Sequence, residues 1–136
     1  MVSTWDASLE TGNAEIDDQH RQLIELMDEF IEVDDRAPFE VFNMLDKIME
    51  FTNIHFLMEE ELMAQVGYPA DAAEEMKEQH WEFKAYSRLR FLEFRHGEIL
   101  GIHSYRTFLD NWLKIHEFGL DRKLADWIRQ QRAGAA

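Results

Sequence analysis

Four histidines occupy positions where a core has little use for them. His20, His55, His80 and His116 each fall in phase with large apolar residues, one in each of four long stretches of helical spacing. Neutral imidazoles cannot fully satisfy one another in a dry interior, because each has a donor and an acceptor that must find partners. A metal ion can use all four rings. Glu59 follows His55 by four residues, so both side chains leave one helix face one turn apart, and a Glu there needs a cation or a proton. Asp121 follows His116 by five, which on a regular helix is about 140° out of phase. It reaches the same centre by leaning round, or where the helix is distorted near Gly119. Four imidazoles with two carboxylates suit one or two first-row transition ions, whereas calcium and magnesium prefer all-oxygen shells.

Helices must carry these side chains, since no stretch shows sustained strand alternation. The first runs from about Ile16 to Val33, with Ile16, His20, Leu23, Met27 and Phe30 on one stripe. The second runs from Pro38, which suits a first helical turn, to Val66; Val41, Leu45, Ile48, Thr52, His55, Glu59 and Leu62 follow one face. Gly67-Tyr68-Pro69 ends it. The third covers about Asp71 to Arg95, with Met76, His80, Phe83 and Tyr86 in phase and His96-Gly97 at its end. The fourth begins near His103 and carries Tyr105, Leu109, Trp112 and His116; its pattern continues past Gly119 to about Arg129, as one bent helix or a helix with a short partner. The expected class is all-α, an up-down-up-down four-helix bundle over residues 16–129. An N-terminal arm over 1–13 and a short C-terminal helix or helix extension complete one domain, 1–136.

Composition narrows the chemistry further. The 136 residues include no cysteine, which excludes disulfides, Cys-type zinc sites, iron–sulfur clusters and thiol catalysis. Fourteen basic against 28 acidic residues leave a net charge of −14. A chain this acidic repels nucleic acid and anionic membrane surfaces, so neither is an expected partner. No targeting segment or long apolar run is visible, so the cytoplasm is the expected location and a monomer the expected state. Glu93 and His96 have a Glu-x-x-His spacing, but one such pair at a helix end reads as surface. His103 reads as exposed or capping, and Met27, Met44, Met49, Met58 and Met63 as packing.

Taken together, these segments resemble the hemerythrin family, in particular its single-domain bacterial members. The likeness rests on Trp5 and Gly12, Ile16-Asp17-Asp18-Gln19-His20, His55-Phe56-Leu57-Met58-Glu59-Glu60, Gly67-Tyr68-Pro69, His80-Trp81-Glu82-Phe83, and Trp112-Leu113-Lys114-Ile115-His116 followed by Asp121. Each is weak alone; their order and spacing make the set specific. The resemblance implies two iron ions bridged by carboxylates and by an oxo or hydroxo group, with O2 or peroxide as the small ligand. By position, His20 and His55 would hold the iron with an open site, His80 and His116 the other, and Glu59 and Asp121 would bridge. Trp112 would line the ligand pocket.

The chain departs from that family at two places. The third helix of the family carries two ligand histidines four residues apart, and the first would fall at position 76, where this chain has Met76. A thioether matches ferric iron poorly, so Met76 reads as core filler before ligand. Glu117 directly follows His116, where the family has an apolar residue lining the O2 pocket. Glu117 and Asp121 are four apart and share an α-helical stripe, so Glu117 is a candidate extra ligand or proton-bearing neighbour of the iron. The expected function is a non-heme diiron protein that binds O2 or a related ligand for storage, delivery or sensing. Its rival is a diiron oxidase or peroxidase-like enzyme, with an unidentified electron donor and Glu117 as ligand or proton donor. A metal-free or single-ion bundle, such as a zinc-bound relic, is the third reading.

Overall fold

A computed structural model describes residues 7–33, 38–96 and 102–135. A 3₁₀ turn, Ala7–Leu9, leads into α1 (Ala14–Glu32), α2 (Pro38–Val66), α3 (Ala70–Arg95) and α4 (Ile102–Trp112). A π-helical segment, Leu113–Asp121, continues α4 without a break into α5 (Arg122–Ala135). No strand occurs among the described residues.

Local chemistry sets the helix ends. The Asn13 side chain accepts the Ile16 N–H at 3.1 Å, so α1 starts two residues before its first apolar position. Glu15 and Asp17 complement the dipole of that first turn. Gly67, at φ +70°, closes α2 in a Schellman motif: the Tyr68 N–H reaches the Met63 carbonyl at 2.9 Å and the Gly67 N–H reaches that of Ala64 at 3.3 Å. Tyr68 and Met63 then share an apolar cluster. The last helix runs past the expected end at Arg129, because the residues beyond it include good helix formers needing no apolar face.

The helices alternate in direction. Between α2 and α3, Glu60 meets His80, Phe56 meets Phe83 and Phe42 meets Phe91. Between α3 and α4, Phe83 meets Trp112, Tyr86 meets Phe108 and Phe94 meets Tyr105. Against α1, Phe30 meets Tyr105 at one end and His20 meets Asp121 at the other. This is the expected up-down-up-down bundle, with α4, the π segment and α5 together forming the fourth member.

The core is divided. One apolar cluster joins Leu23, Met27 and Phe30 to Leu45, Ile48, Phe83 and Tyr105; the other joins Ile16, Leu62, Met76, Leu124 and Ile128. Between them every helix contributes polar side chains: His20, His55 with Glu59, His80, and His116 with Asp121, all buried. Each large apolar side chain in the flanking clusters stabilises the fold by about 1.5–3 kcal/mol. The two clusters therefore hold together a layer that is itself costly to bury.

The arm is strapped to α1 and α5. The Asp17 carboxylate accepts the Thr11 N–H at 2.8 Å, the Thr11 hydroxyl at 2.9 Å and the Gly12 N–H at 3.2 Å. Arg129 donates to the Glu10 carbonyl at 2.8 Å, and Leu9 is buried. Gly12 has φ +86°, and a Cβ there would lie 1.9 Å from Arg132 Nη1. The backbone turn is what requires glycine, since the Arg132 guanidinium is the far end of a flexible, exposed side chain that can swing aside. Trp5 lies outside the described residues.

Candidate metal centre

Glu59 is the hub of the polar layer. Its Oε2 lies 2.9 Å from His20 Nε2 and 3.3 Å from His55 Nε2. Its Oε1 lies 3.0 Å from His80 Nε2 and 3.6 Å from His116 Nε2. Asp121 repeats the division: Oδ2 is 3.2 Å from His20 Nε2, and Oδ1 is 3.1 Å from His116 Nε2. Five of the six residues form two donor sets that overlap at Glu59. One has His20, His55 and one oxygen of Glu59; the other has His80, His116 and the second oxygen.

The π segment brings Asp121 into the layer. An α-helix would set it far round from His116, but a π-turn closes from i to i+5, so residues five apart come to one face. The distortion expected near Gly119 is therefore a run of nine residues, Leu113–Asp121. The Glu117 side chain lies outside the described residues.

Three of the four rings are held from behind. His55 Nδ1 faces Gln19 Oε1 at 3.1 Å, His80 Nδ1 faces Glu60 Oε2 at 2.9 Å, and His116 Nδ1 faces Gln79 Oε1 at 3.0 Å. All three partners are acceptors, so each Nδ1 donates and the Nε2 lone pair of the neutral ring points inward. This is the arrangement expected behind metal-bound imidazoles. Phe56 stacks on His80 with centroids 4.0 Å apart, and Trp112 on His116 at 4.3 Å. These two aromatic faces close the centre on that side.

Several of these atoms are aimed at shared points rather than at one another. His55 Nε2, His116 Nε2 and both Asp121 oxygens are buried without a hydrogen-bond partner, although oppositely polar atoms lie only 3.1–3.6 Å away. Neighbouring ligands of one octahedral ion, with bonds of about 2.1 Å, sit about 3 Å apart. The spacing and the unpaired atoms thus fit transition ions bound on both sides of Glu59.

The electrostatics agree. Burial opposes ionisation of Glu59, yet the four imidazoles hold its carboxyl well below the usual range. Burial and the Glu59 charge push Asp121 up, and His116 and His20 outweigh them to hold it low. Burial alone would lower His116, but Asp121 and then Glu59 keep its imidazolium up to about 10. His55 goes the other way, lowered by burial and then by His20. Without metal, protons do the work of cations here.

Of the remaining candidates, Met76 is buried in the apolar cluster with Ile16 and Leu62, one turn before His80. Glu93 pairs with Arg90 at 2.7 Å, while His96 and His103 are exposed. Reading the sequence missed Gln19, Glu60 and Gln79. A signal existed: the pair Gln-His occurs twice, at 19–20 and 79–80, and each glutamine serves the histidine of the following helix.

Comparison with known proteins agrees with this geometry. No family model and no solved structure matches the chain. The chain is similar to a bacteriohemerythrin of Stenotrophomonas maltophilia, 35% identical over 127 residues that cover 92% of this chain and 80% of that protein. It is 28% identical to a bacteriohemerythrin of Pseudomonas aeruginosa, with the same coverage. A hemerythrin-like protein of Naegleria gruberi is 29% identical over 119 residues, 88% of this chain and 87% of that one.

Proposed function

The chain belongs to the bacterial hemerythrin family, and we propose that its buried layer holds two iron ions and binds O2 or a related small ligand. The division of donor atoms carries this reading. His20 and His55, with Glu59 Oε2 and Asp121 Oδ2, would hold one ion. His80 and His116, with Glu59 Oε1 and Asp121 Oδ1, would hold the other. A pair of irons, when bound, supplies the electrons that O2 takes up. The protein's part is to orient the rings through Gln19, Glu60 and Gln79, and to shield them with Phe56 and Trp112.

The test is iron content and the optical spectrum of the reduced protein while O2 is added and removed. Two irons per chain and a coloured form that reverts without O2 support the reading. Fewer than two irons, or no colour change, overturn it.

Met76 favours a second reading. It stands in the turn before His80, where the family places a further imidazole, so the His80 and His116 side draws only two imidazoles from the described residues. A less histidine-rich ion is closer to oxygen-activating diiron carboxylate sites, which suits oxidase or peroxidase-like turnover. In this reading Glu117 is the extra ligand or proton donor. Sustained consumption of reductant with O2 or peroxide supports it, and unchanged spectra and reactivity in Glu117→Ile would remove the role of Glu117.

A further inference from the structure

Trp112 does more than shield His116. Its indole N–H is buried without a hydrogen-bond partner, although buried tryptophans normally find one. From it a line of touching rings leads away from the polar layer. Trp112 meets Phe83 at 4.5 Å, Phe83 meets Phe108 at 5.8 Å, and Phe108 stacks on Tyr86 at 4.3 Å. Tyr86 is half-buried and reaches the protein's outer side beneath Arg90. A branch from Phe108 to Tyr105 at 5.7 Å rejoins the line, because Tyr105 stacks on Tyr86 at 5.9 Å. Tyr105 is fully buried, its hydroxyl pairs with Ser87 at 2.6 Å, and burial pushes its phenol up.

We propose that Trp112 and Tyr86 form a relay that carries oxidising equivalents from the iron centre to the surface, with Phe83 and Phe108 as bridges. The proposal rests on the iron reading above and concerns peroxide arriving at the centre. One electron passes from Trp112 to the centre. The oxidised indole has no acceptor at its N–H, so it keeps its proton, remains strongly oxidising and draws an electron from Tyr86. Tyr86 gives its phenolic proton to solvent. A one-electron reductant of the ascorbate class then returns an electron and a proton to Tyr86. Two such passes, with two protons taken up, turn one hydrogen peroxide into two waters. The relay would spare the histidines by moving the oxidation to a replaceable site.

The experiment freezes the iron-loaded full chain seconds after hydrogen peroxide is added and reads organic radicals by electron paramagnetic resonance. Iron content and optical spectrum are measured on the same samples. The parent protein should give a tyrosyl signal. Tyr86→Phe keeps the ring stack and removes only the hydroxyl, so it should lose that signal at unchanged iron content and melting temperature. Trp112→Phe should also lose it while still binding iron. A tyrosyl signal that survives in either iron-loaded variant, or no radical in the iron-loaded parent, overturns the relay alone. A parent chain that takes up no iron overturns the relay together with the iron reading.

Discussion

His116 and Asp121 face each other at 3.1 Å although they stand five positions apart, because the helix that carries both is π-wound from Leu113 to Asp121. The π run converts a pair that an α-helix would hold apart into two donors on one face. It also lets each Asp121 oxygen serve a different histidine, Oδ2 toward His20 and Oδ1 toward His116.

Asp121→Asn should therefore keep the bundle and lose the bridged pair. The two apolar clusters on either side are untouched, so helical circular dichroism should be unchanged. Elemental analysis should find fewer than two irons per chain. Two irons retained would show that Asp121 is not a ligand.

The glutamines behind the rings should matter almost as much. Gln19→Leu frees the Nδ1 of His55, and Gln79→Leu frees that of His116. Each loss lets a ring turn and change tautomer, which should weaken iron binding about 10–100-fold. Competition with a chelator measures this, and unchanged affinity in both variants would remove the positioning role.

Met76→His tests the missing imidazole directly. The iron-loaded protein should bind metal more tightly and show a shifted charge-transfer spectrum. The iron-free protein should be less stable by about 1–3 kcal/mol, because the new ring lies in an apolar cluster with Ile16 and Leu62. Denaturant titration with and without iron separates the two effects. A spectrum identical to the parent's would mean that position 76 does not reach the centre.

The iron-free protein should have a stability maximum near the ordinary histidine pKa. His116 is raised from 6.5 to about 10, so its contribution is complete below 6.5 and disappears as the pH climbs through 10. His55 is lowered, so the unfolded chain takes up its proton first and stability falls as the pH drops below 6.5. Glu59 and Asp121 are also lowered, and their contribution is lost further into acid. Iron loading must expel the His116 proton, so it should release at least one proton per chain near neutrality. Calorimetry in buffers of different ionisation enthalpy reads that proton, and its absence would contradict the charge pattern of the layer.

Much of this was legible in the residues alone. Helical spacing set the elements, and the phase of His20, His55, Glu59, His80 and His116 with large apolar residues marked them as inward, because an α-helix repeats every 3.6 residues whatever surrounds it. The Gly67 stop was equally a local matter of backbone chemistry. What lay beyond reach was anything that joins one helix to the next or departs from the α repeat. The Gln19 contact with His55 and the Gln79 contact with His116 depend on how neighbouring helices are set in depth. The nine-residue π run is unfavourable in isolation; a local pattern cannot announce it, and it becomes worthwhile only when a carboxylate must meet His20 and His116 at once. Periodicity decided which side chains go inside, and only the packed bundle decided which oxygen faces which imidazole.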